Sequence, residues 1–271
     1  MQIRVGGVPE HFNLPWHLGM EEGHFARAGL ELAFSEYPTG TGAMCEDLRA
    51  GKLDLAVALT EGLLMDIARH DRIVLLAPYV LSPLRWGVHV AADSGFTRAG
   101  QLADATFAIS RYGSGSHLMA LLWAREQGWD PQKLKFTVAG GLEPLERSVH
   151  TGAATAFLWE VFTTLPRVEQ GSLRRLAEFP TPWPCFMIAA RPETASERKA
   201  ELDTLLQVLY GLTARCMAQA GQTIAEVARR HQLDPSAAAT WFADVRWATD
   251  PQLPDAALEQ TRRTLKELGL I

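Results

Sequence analysis

GTGAMCEDLRAGKLDLAVALTE (residues 40–61) and GGLEPLERSVHTGAATAFLWE (residues 140–160) together decide how this chain is read. Each begins with a glycine turn, runs through a helix, stops at a glycine, continues as an apolar run and closes on a glutamate. A glycine just past the last helical turn is a stop signal, and a short continuous apolar run fits a buried strand. The same unit written twice implies two similar α/β lobes in one chain.

The flanking sequence keeps the same rhythm. QIRVGGV (2–8) reads as a strand, and PWHLGMEEGHFARAG (15–29) as one helix with Pro15 in its first turn and Gly29 closing it. LELAFSEY (30–37) and LDLAVAL (53–59) read as strands, TEGLLMDIARH (60–70) as a helix capped by Thr60, and RIVLLAPYVL (72–81) as another strand. After Ser82 and Pro83 a second series begins: strand LRWGVHVA (84–91), strand ATFAIS (105–110), a helix over 116–127 and strand LKFTVA (134–139). A helix over 142–151, strand ATAFLW (154–159), a helix over 160–168 and strand SLRRLAEF (172–179) complete it. PTPWPC (180–185) interrupts the chain with three prolines, FMIAA (186–190) follows, and the remainder reads as helices over 194–219, 222–231, 235–245 and 254–268. Strands alternating with helices of this length predict parallel sheets covered on both faces. The expected division is lobe 1 over 1–82 plus 187–271 and lobe 2 over 86–182, with hinge crossings near 81–86 and 180–187.

Composition narrows the function classes. The 271 residues are 47% hydrophobic and 21% charged, with a formal net charge of -5 from 26 basic and 31 acidic residues. No basic stripe stands out, so nucleic acid is not an expected partner. The longest apolar runs are strand-length, short of the ~20 residues that a membrane helix needs, so no membrane insertion is expected. Cys45, Cys185 and Cys216 are far apart and odd in number, which fits neither a zinc spacing nor a disulfide framework. Met1 leads directly into a strand rather than a leader. The expected compartment is the cytoplasm if Met1 is the natural start, and the periplasm if a signal peptide was removed.

PWHLGMEEGHFARAGLEL (15–32) resembles the first helix of the type II periplasmic solute-binding proteins, in their alkanesulfonate, taurine and thiamine-pyrimidine branch. Gly23, Phe25, Gly29, Leu30 and Leu32 carry the match. The segments 40–59, 111–122 (RYGSGSHLMALL) and 150–160 follow the family's later elements in order. The resemblance implies a two-lobe type II periplasmic-binding-protein-like α/β fold with C-terminal helices and a ligand cleft between the lobes. It places the ligand at turns after strand ends, where open α/β sheets bind their ligands in general.

The candidate ligand residues fall on those turns. In SRYGSGSHLM (110–119), Gly113 and Gly115 allow close backbone approach, Ser114 and Ser116 offer hydroxyls beside His117, and the helix that follows supplies free N–H groups and the positive end of its dipole. Such a turn suits a carboxylate, sulfonate, phosphate or polar ring edge; a plain serine cap is the structural alternative. Thr39 and Thr41 occupy the matching turn of the first lobe, followed by Thr60. His11, Phe12 and Asn13 follow the first strand, either facing the ligand or forming a polar surface loop. Glu61 and Glu160 end buried strands in the two lobes, as acceptors for a cationic or donor ligand or as first-turn acids. Trp159 and Trp183 are candidates for an aromatic wall or for core packing. His17, Glu21 and His24 share a helix face at i, i+4 and i+7, but a solvated face is the commoner meaning and no metal is expected.

The resemblance also covers enzymes. Thiamine-pyrimidine synthases use a pyridoxal phosphate lysine and a cysteine-rich iron motif. Here Lys52, Lys133, Lys135, Lys199 and Lys266 all lie away from the turn near 60–62, and no cysteine cluster exists. No cofactor is therefore implied. G-x-S-x-G, HExxH and P-loop motifs are absent. The expected function is a small-molecule binding protein closing two lobes on a polar, planar or anionic ligand, with an ABC transporter permease as partner if exported. The alternative is an enzyme of the same fold acting on a small heterocyclic or chorismate-derived metabolite, with His11 or His117 as general base. A third reading gives the C-terminal helices a protein partner.

Overall fold

The computed structural model describes residues 2–271, so Met1, on which the expected compartment turns, lies outside the described residues. The chain divides into two compact units, one of residues 1–83 with 183–271 and one of residues 84–182.

In the first unit, β1 (Ile3–Gly7), β2 (Leu32–Glu36) and β3 (Leu55–Leu59) are joined through helices α1 (Leu14–Glu21), α2 (His24–Arg27) and α3 (Thr41–Arg49). Helix α4 (Thr60–His70) leads to β4 (Val74–Val80). The sheet is completed by β10 (Phe186–Ala190), giving the order β2-β1-β3-β10-β4. β1 runs parallel to β2 and β3, whereas β10 is antiparallel to both of its neighbours. The second unit contains β5 (Arg85–Ala91), β6 (Thr106–Ile109), α5 (Gly115–Glu126), β7 (Lys135–Val138), α6 (Leu142–His150), β8 (Ala156–Glu160), α7 (Val161–Glu169) and β9 (Leu173–Pro180). Its order is β7-β6-β8-β5-β9, with β5 antiparallel to β8 and β9.

The predicted all-parallel sheets are thus mixed, for the same reason in both units. The crossover from β3 through α4 to β4 in the first unit, and from β8 through α7 to β9 in the second, skips one position. The vacant position is filled by β10, on which the chain returns to the first unit, and by β5, on which it enters the second. Parallel neighbours need a long crossover; an antiparallel strand can be inserted without one. Every residue of β10 is buried, so it has no polar face to distinguish it from a buried parallel strand.

The two opening segments do fold alike. Met44 and Leu48 of α3 are fully buried, as are Leu145 and, nearly, Val149 of α6. Each set lies four residues apart on the helix face that meets the sheet. Gly51 and Gly152 then take φ of 71° and 72°, a left-handed conformation that favours glycine and ends each helix. Burying a leucine such as Leu145 is worth roughly 1.5–3 kcal/mol.

The single helix predicted over 15–29 is instead two. Gly23 at φ 70° separates α1 from α2, so Phe25 turns inward and stacks on Trp16 at 5.8 Å. The C-terminal chain forms α8 (Pro192–Glu197), α9 (Lys199–Ala218), α10 (Ala220–His231), α11 (Pro235–Asp244) and α12 (Asp255–Glu267), so the helix predicted over 194–219 also breaks, at Arg198. Leu202, Leu205, Leu209 and Leu212 of α9 are buried in the first unit. Gly19 lets α1 approach α9: a Cβ there would lie 2.6 Å from Leu212 Cδ1.

Candidate functional site

In the first unit, the candidate residues gather where β1 and β3 end. His11, Phe12 and Asn13 form a short 3-10 turn after β1, and all three are buried. Of the two readings of this segment, the polar surface loop is not what forms: the turn is buried, because side chains distant in sequence cover it. The Phe12 carbonyl accepts hydrogen bonds from Tyr79 Oη (2.5 Å) and Trp247 Nε1 (2.9 Å). The Phe12 ring packs on Phe186 at 5.5 Å and Trp241 at 5.4 Å, and Asn13 donates to the Val8 carbonyl at 2.6 Å. The His11 ring lies 4.2 Å from that of His231, and its Nδ1 has no hydrogen-bond partner. Burial, reinforced by His231, pushes the His11 pKa down to about 3. A base so weak is not poised to take a proton at neutral pH.

Thr39 is exposed, whereas Thr41 is the first residue of α3 and is buried. Thr41 Oγ1 accepts from the Leu59 N–H at 3.1 Å, and its methyl rests against α4, where a Cβ on Gly62 would come within 2.6 Å. Leu59, rather than the expected Thr60, is the N-cap of α4. The Thr60 hydroxyl is used elsewhere: it donates to the Pro184 carbonyl at 2.5 Å, while the Thr60 N–H donates to the Cys185 carbonyl at 3.0 Å. Beside them Glu61 is fully buried in the first turn of α4. Trp183 Nε1 donates to Glu61 Oε2 at 2.9 Å, and Glu61 Oε1 has no partner. Burial raises the Glu61 pKa to about 7, against the opposing pull of its own amide and Trp183. The structure therefore brings Thr41, Thr60, Glu61 and Trp183 together in one cluster.

The face of His17, Glu21 and His24 is dispersed, because Gly23 ends the helix before the third position. His17 packs edge-on against Phe34, Glu21 pairs with Arg230, and His24 bonds Glu22 at 2.8 Å.

In the second unit, Ser114 is the N-cap of α5, with its Oγ accepting from the His117 N–H at 3.3 Å. Ser116 Oγ accepts from the Ser110 N–H at 2.9 Å and lies 3.0 Å from Ser114 Oγ. The Gly113 N–H donates to His117 Nδ1 at 3.1 Å. An acceptor at Nδ1 leaves the neutral imidazole with its proton on Nε2. Burial also lowers the His117 pKa, so this ring is a neutral donor with Nδ1 already engaged. The Ser114 hydroxyl claims only one of the helix's first N–H groups; those of Gly115 and Ser116 have no partner among the described residues. Tyr112 and Phe136 flank the His117 ring at 5.2 and 4.7 Å.

Glu160 is buried and acts as the N-cap of α7, its Oε2 accepting from Thr163 N (2.6 Å) and Thr163 Oγ1 (2.8 Å). Burial raises its pKa, opposed by the Thr163 bonds and by Arg85. The two glutamates that close the paired sequences are thus not equivalent. Counted from Gly51 and Gly152, Glu160 corresponds to Leu59, and the two share N-cap dihedrals near φ -60°. Glu61 lies two residues further into its helix. Trp159 is half-buried and packs on the core cluster of Leu145, Val149 and Phe157.

Sequence reasoning missed Tyr79, Trp241, Trp247 and His231, which enclose the His11–Asn13 turn from far along the chain. It also missed Ser110, one residue past β6. It passed over His89 of β5, which is buried, stacks on Phe157 at 5.2 Å and bonds Thr164 Oγ1 at 2.9 Å. Only Ser110, beside the serine turn, carried a local signal.

A model of Ca3427-like periplasmic binding proteins matches residues 86–179. No curated protein sequence matches the chain. Among solved structures, the Candida albicans CA3427 gene product, described as exhibiting the generic periplasmic binding protein fold, aligns with TM-score 0.91 and 24% identity, covering 100% of this chain and 91% of that one. The alkanesulfonate-binding protein SsuA of Xanthomonas axonopodis pv. citri, bound to MOPS, aligns with TM-score 0.81 and 17% identity over 99% of this chain and 92% of that one. The periplasmic aliphatic sulphonate binding protein SsuA of Escherichia coli aligns with TM-score 0.73 and 19% identity over 100% and 93%. Two helix-flanked mixed sheets with the same strand plan, matched along the whole chain by these structures, give this protein the two-lobe periplasmic binding protein fold.

Proposed function

We propose that the protein is a solute-binding protein for a small anion, with sulfonates the first class to test. The observation that carries this reading is the start of α5. Two unpartnered N–H groups, Gly115 and Ser116, stand at the positive end of a 12-residue helix under an uncharged serine cap. Helix N-termini of this kind bind anions through directed N–H groups and the helix dipole. His117, with Nδ1 engaged by Gly113, carries a neutral Nε2–H donor in the first turn of the same helix. The sulfonate-binding proteins with this fold support the choice of ligand class. In this reading the crossings near 81–86 and 180–187 form the hinge on which the two units close, and an importer's permease is the partner. The enzyme alternative gains no support from His11, held to a pKa of about 3, or from His117, whose Nδ1 is occupied.

The test is Ser114→Asp, with ethanesulfonate and MOPS as probes in calorimetric titration. Aspartate caps a helix as well as serine does, so α5 is retained. Its carboxylate would stand beside the N–H groups reserved for the ligand. Sulfonate binding to the wild-type protein, lost in Ser114→Asp at unchanged thermal stability, is the expected result. Equal binding by both proteins would overturn the assignment to α5.

A further inference from the structure

Among the described residues, three large apolar side chains stand well exposed, and two of them, Tyr112 (62%) and Val138 (55%), belong to one corner of the second unit. Val138 ends β7, the edge strand, and pairs with Ile109, three residues before Tyr112. Phe136 precedes Val138 by two residues and so shares its face of the strand. The Phe136 ring is half-buried and lies 6.1 Å from that of Tyr112. Apolar residues exposed singly are ordinary, whereas a contiguous apolar patch marks an interaction surface.

His117 supplies a second, independent sign. Its residue is only 8% exposed, and its ring is fixed from three sides: the Gly113 N–H donates to Nδ1, and Tyr112 and Phe136 meet it edge-on at 75° and 74°. Its Nε2 has no hydrogen-bond partner among the described residues and, unlike Nδ1 of His11 or His89, is not sealed from solvent. A buried ring therefore holds out one free N–H within an exposed aromatic patch. The same contact fixes the Tyr112 ring, so its open face is pre-organised. Three peptide units separate Tyr112 from Gly115, at most about 11 Å between their Cα atoms, a span that an arenesulfonate and the tyrosine side chain cover together.

We propose that Tyr112 is a specificity-determining residue: its exposed face, continued by Phe136 and His117, receives the organic part of the ligand, so the protein prefers a sulfonate carried on a planar aromatic ring to one carried on an alkyl group. This rests on the anion-binding reading above and names the class of molecule to which the anion is attached. All the residues it invokes lie between Tyr112 and Val138 of the second unit. A tyrosine face takes a flat ring by offset or edge-on contact and gains more than the buried area alone supplies, whereas a puckered alkyl ring gains the area only.

The experiment compares benzenesulfonate with cyclohexanesulfonate, two anions of equal charge on six-carbon rings that differ in being flat or puckered. Calorimetric titration of the wild-type protein is expected to show benzenesulfonate binding at least ~5-fold more tightly, about 1 kcal/mol for one aromatic contact. In Tyr112→Leu, which keeps apolar bulk and loses the ring, the ratio of the two affinities is expected to fall towards one at unchanged Tm. Tyr112→Phe, which keeps the ring, is expected to keep the preference. The Tyr112 ring resonances, identified through Tyr112→Phe, are expected to shift more with benzenesulfonate than with cyclohexanesulfonate. Equal affinities in the wild-type protein, or a benzenesulfonate preference that survives in Tyr112→Leu, would overturn the inference while leaving anion binding in place. Concentration-dependent self-association lost in Tyr112→Leu would assign the patch to a second copy of the chain and overturn it likewise. Failure of both anions to bind would overturn the sulfonate reading itself, and the inference with it.

Discussion

Replacing Glu61 with glutamine is expected to stabilise the protein at alkaline pH and to leave it unchanged in acid. A carboxyl whose pKa is raised from 4.5 to about 7 on folding binds its proton more tightly in the native state. Its neutral form is present in both states below pH 4, where it contributes no pH-dependent penalty. As pH rises through 4.5 the unfolded chain releases its proton first, and native stability falls until the folded carboxyl also ionises near pH 7. At about 1.4 kcal/mol per pKa unit, the full penalty at pH 8 is about 3 kcal/mol. Glutamine keeps a carbonyl oxygen for Trp183 Nε1 and has no proton to lose, so Glu61→Gln should recover that penalty. Urea unfolding of the two proteins at pH 4, 6 and 8 measures it. The quantity to follow is the difference between them, because His11 and His231 titrate in both proteins and cancel. A difference that stays below about 0.5 kcal/mol from pH 4 to 8, or a variant less stable than wild type at pH 8, would refute the picture of an unpaid buried acid.

The histidine pair gives the opposite slope. His11 and His231, held to pKa values of about 3 and 4 mainly by burial, contribute stability that is complete above pH 6.5 and is lost as pH falls towards 4. His11→Phe is therefore expected to flatten the acid limb of a Tm-against-pH profile, and an unchanged limb would count against it. Gly19→Ala should cost about 1–3 kcal/mol in urea unfolding, because the new methyl meets Leu212 and the Phe25 ring; a neutral result would mean that α1 and α9 pack less closely than described. Nitrogen-15 spectra of His117 at pH 7.5 should show the neutral Nε2–H form, and sulfonate affinity should be flat between pH 7 and 8. An Nδ1–H tautomer would contradict the bond from Gly113.

Residues 40–61 and 140–160 were readable because their decisive signals are local. A glycine at φ 71° or 72° and a buried i, i+4 face leave their mark in adjacent residues, and α4 occupies residues 60–70 as predicted. The direction of β5 and β10 was not readable, since strand polarity is set by which distant strand lies alongside and leaves no trace in FMIAA. The interruption at Gly23 was hidden because apolar spacing continues across it. The burial of the turn at His11–Asn13 was not readable, and its two readings, ligand-facing or surface loop, stayed open, because the side chains that close it, His231, Trp241 and Trp247, arrive more than two hundred residues later. Ser114 was legible as a cap from its place before an apolar helix. That Glu61 keeps one oxygen empty was not, because the number of donors reaching a buried carboxyl is a property of packing.

The inserted strands also impose an order on biosynthesis. β5 precedes the strands it joins, so residues 84–182 contain everything their sheet needs once they have emerged from the ribosome. The first eighty-three residues do not. Their sheet has a strand-wide gap between β3 and β4 that only Phe186–Ala190 can fill, and until then both edges of the gap remain unpaired. The amino-terminal unit, although made first, cannot complete its sheet before Phe186–Ala190 has been made, and until then it lacks the strand that separates β3 from β4, a gap of the kind that chaperones shield and that neighbouring nascent chains can invade.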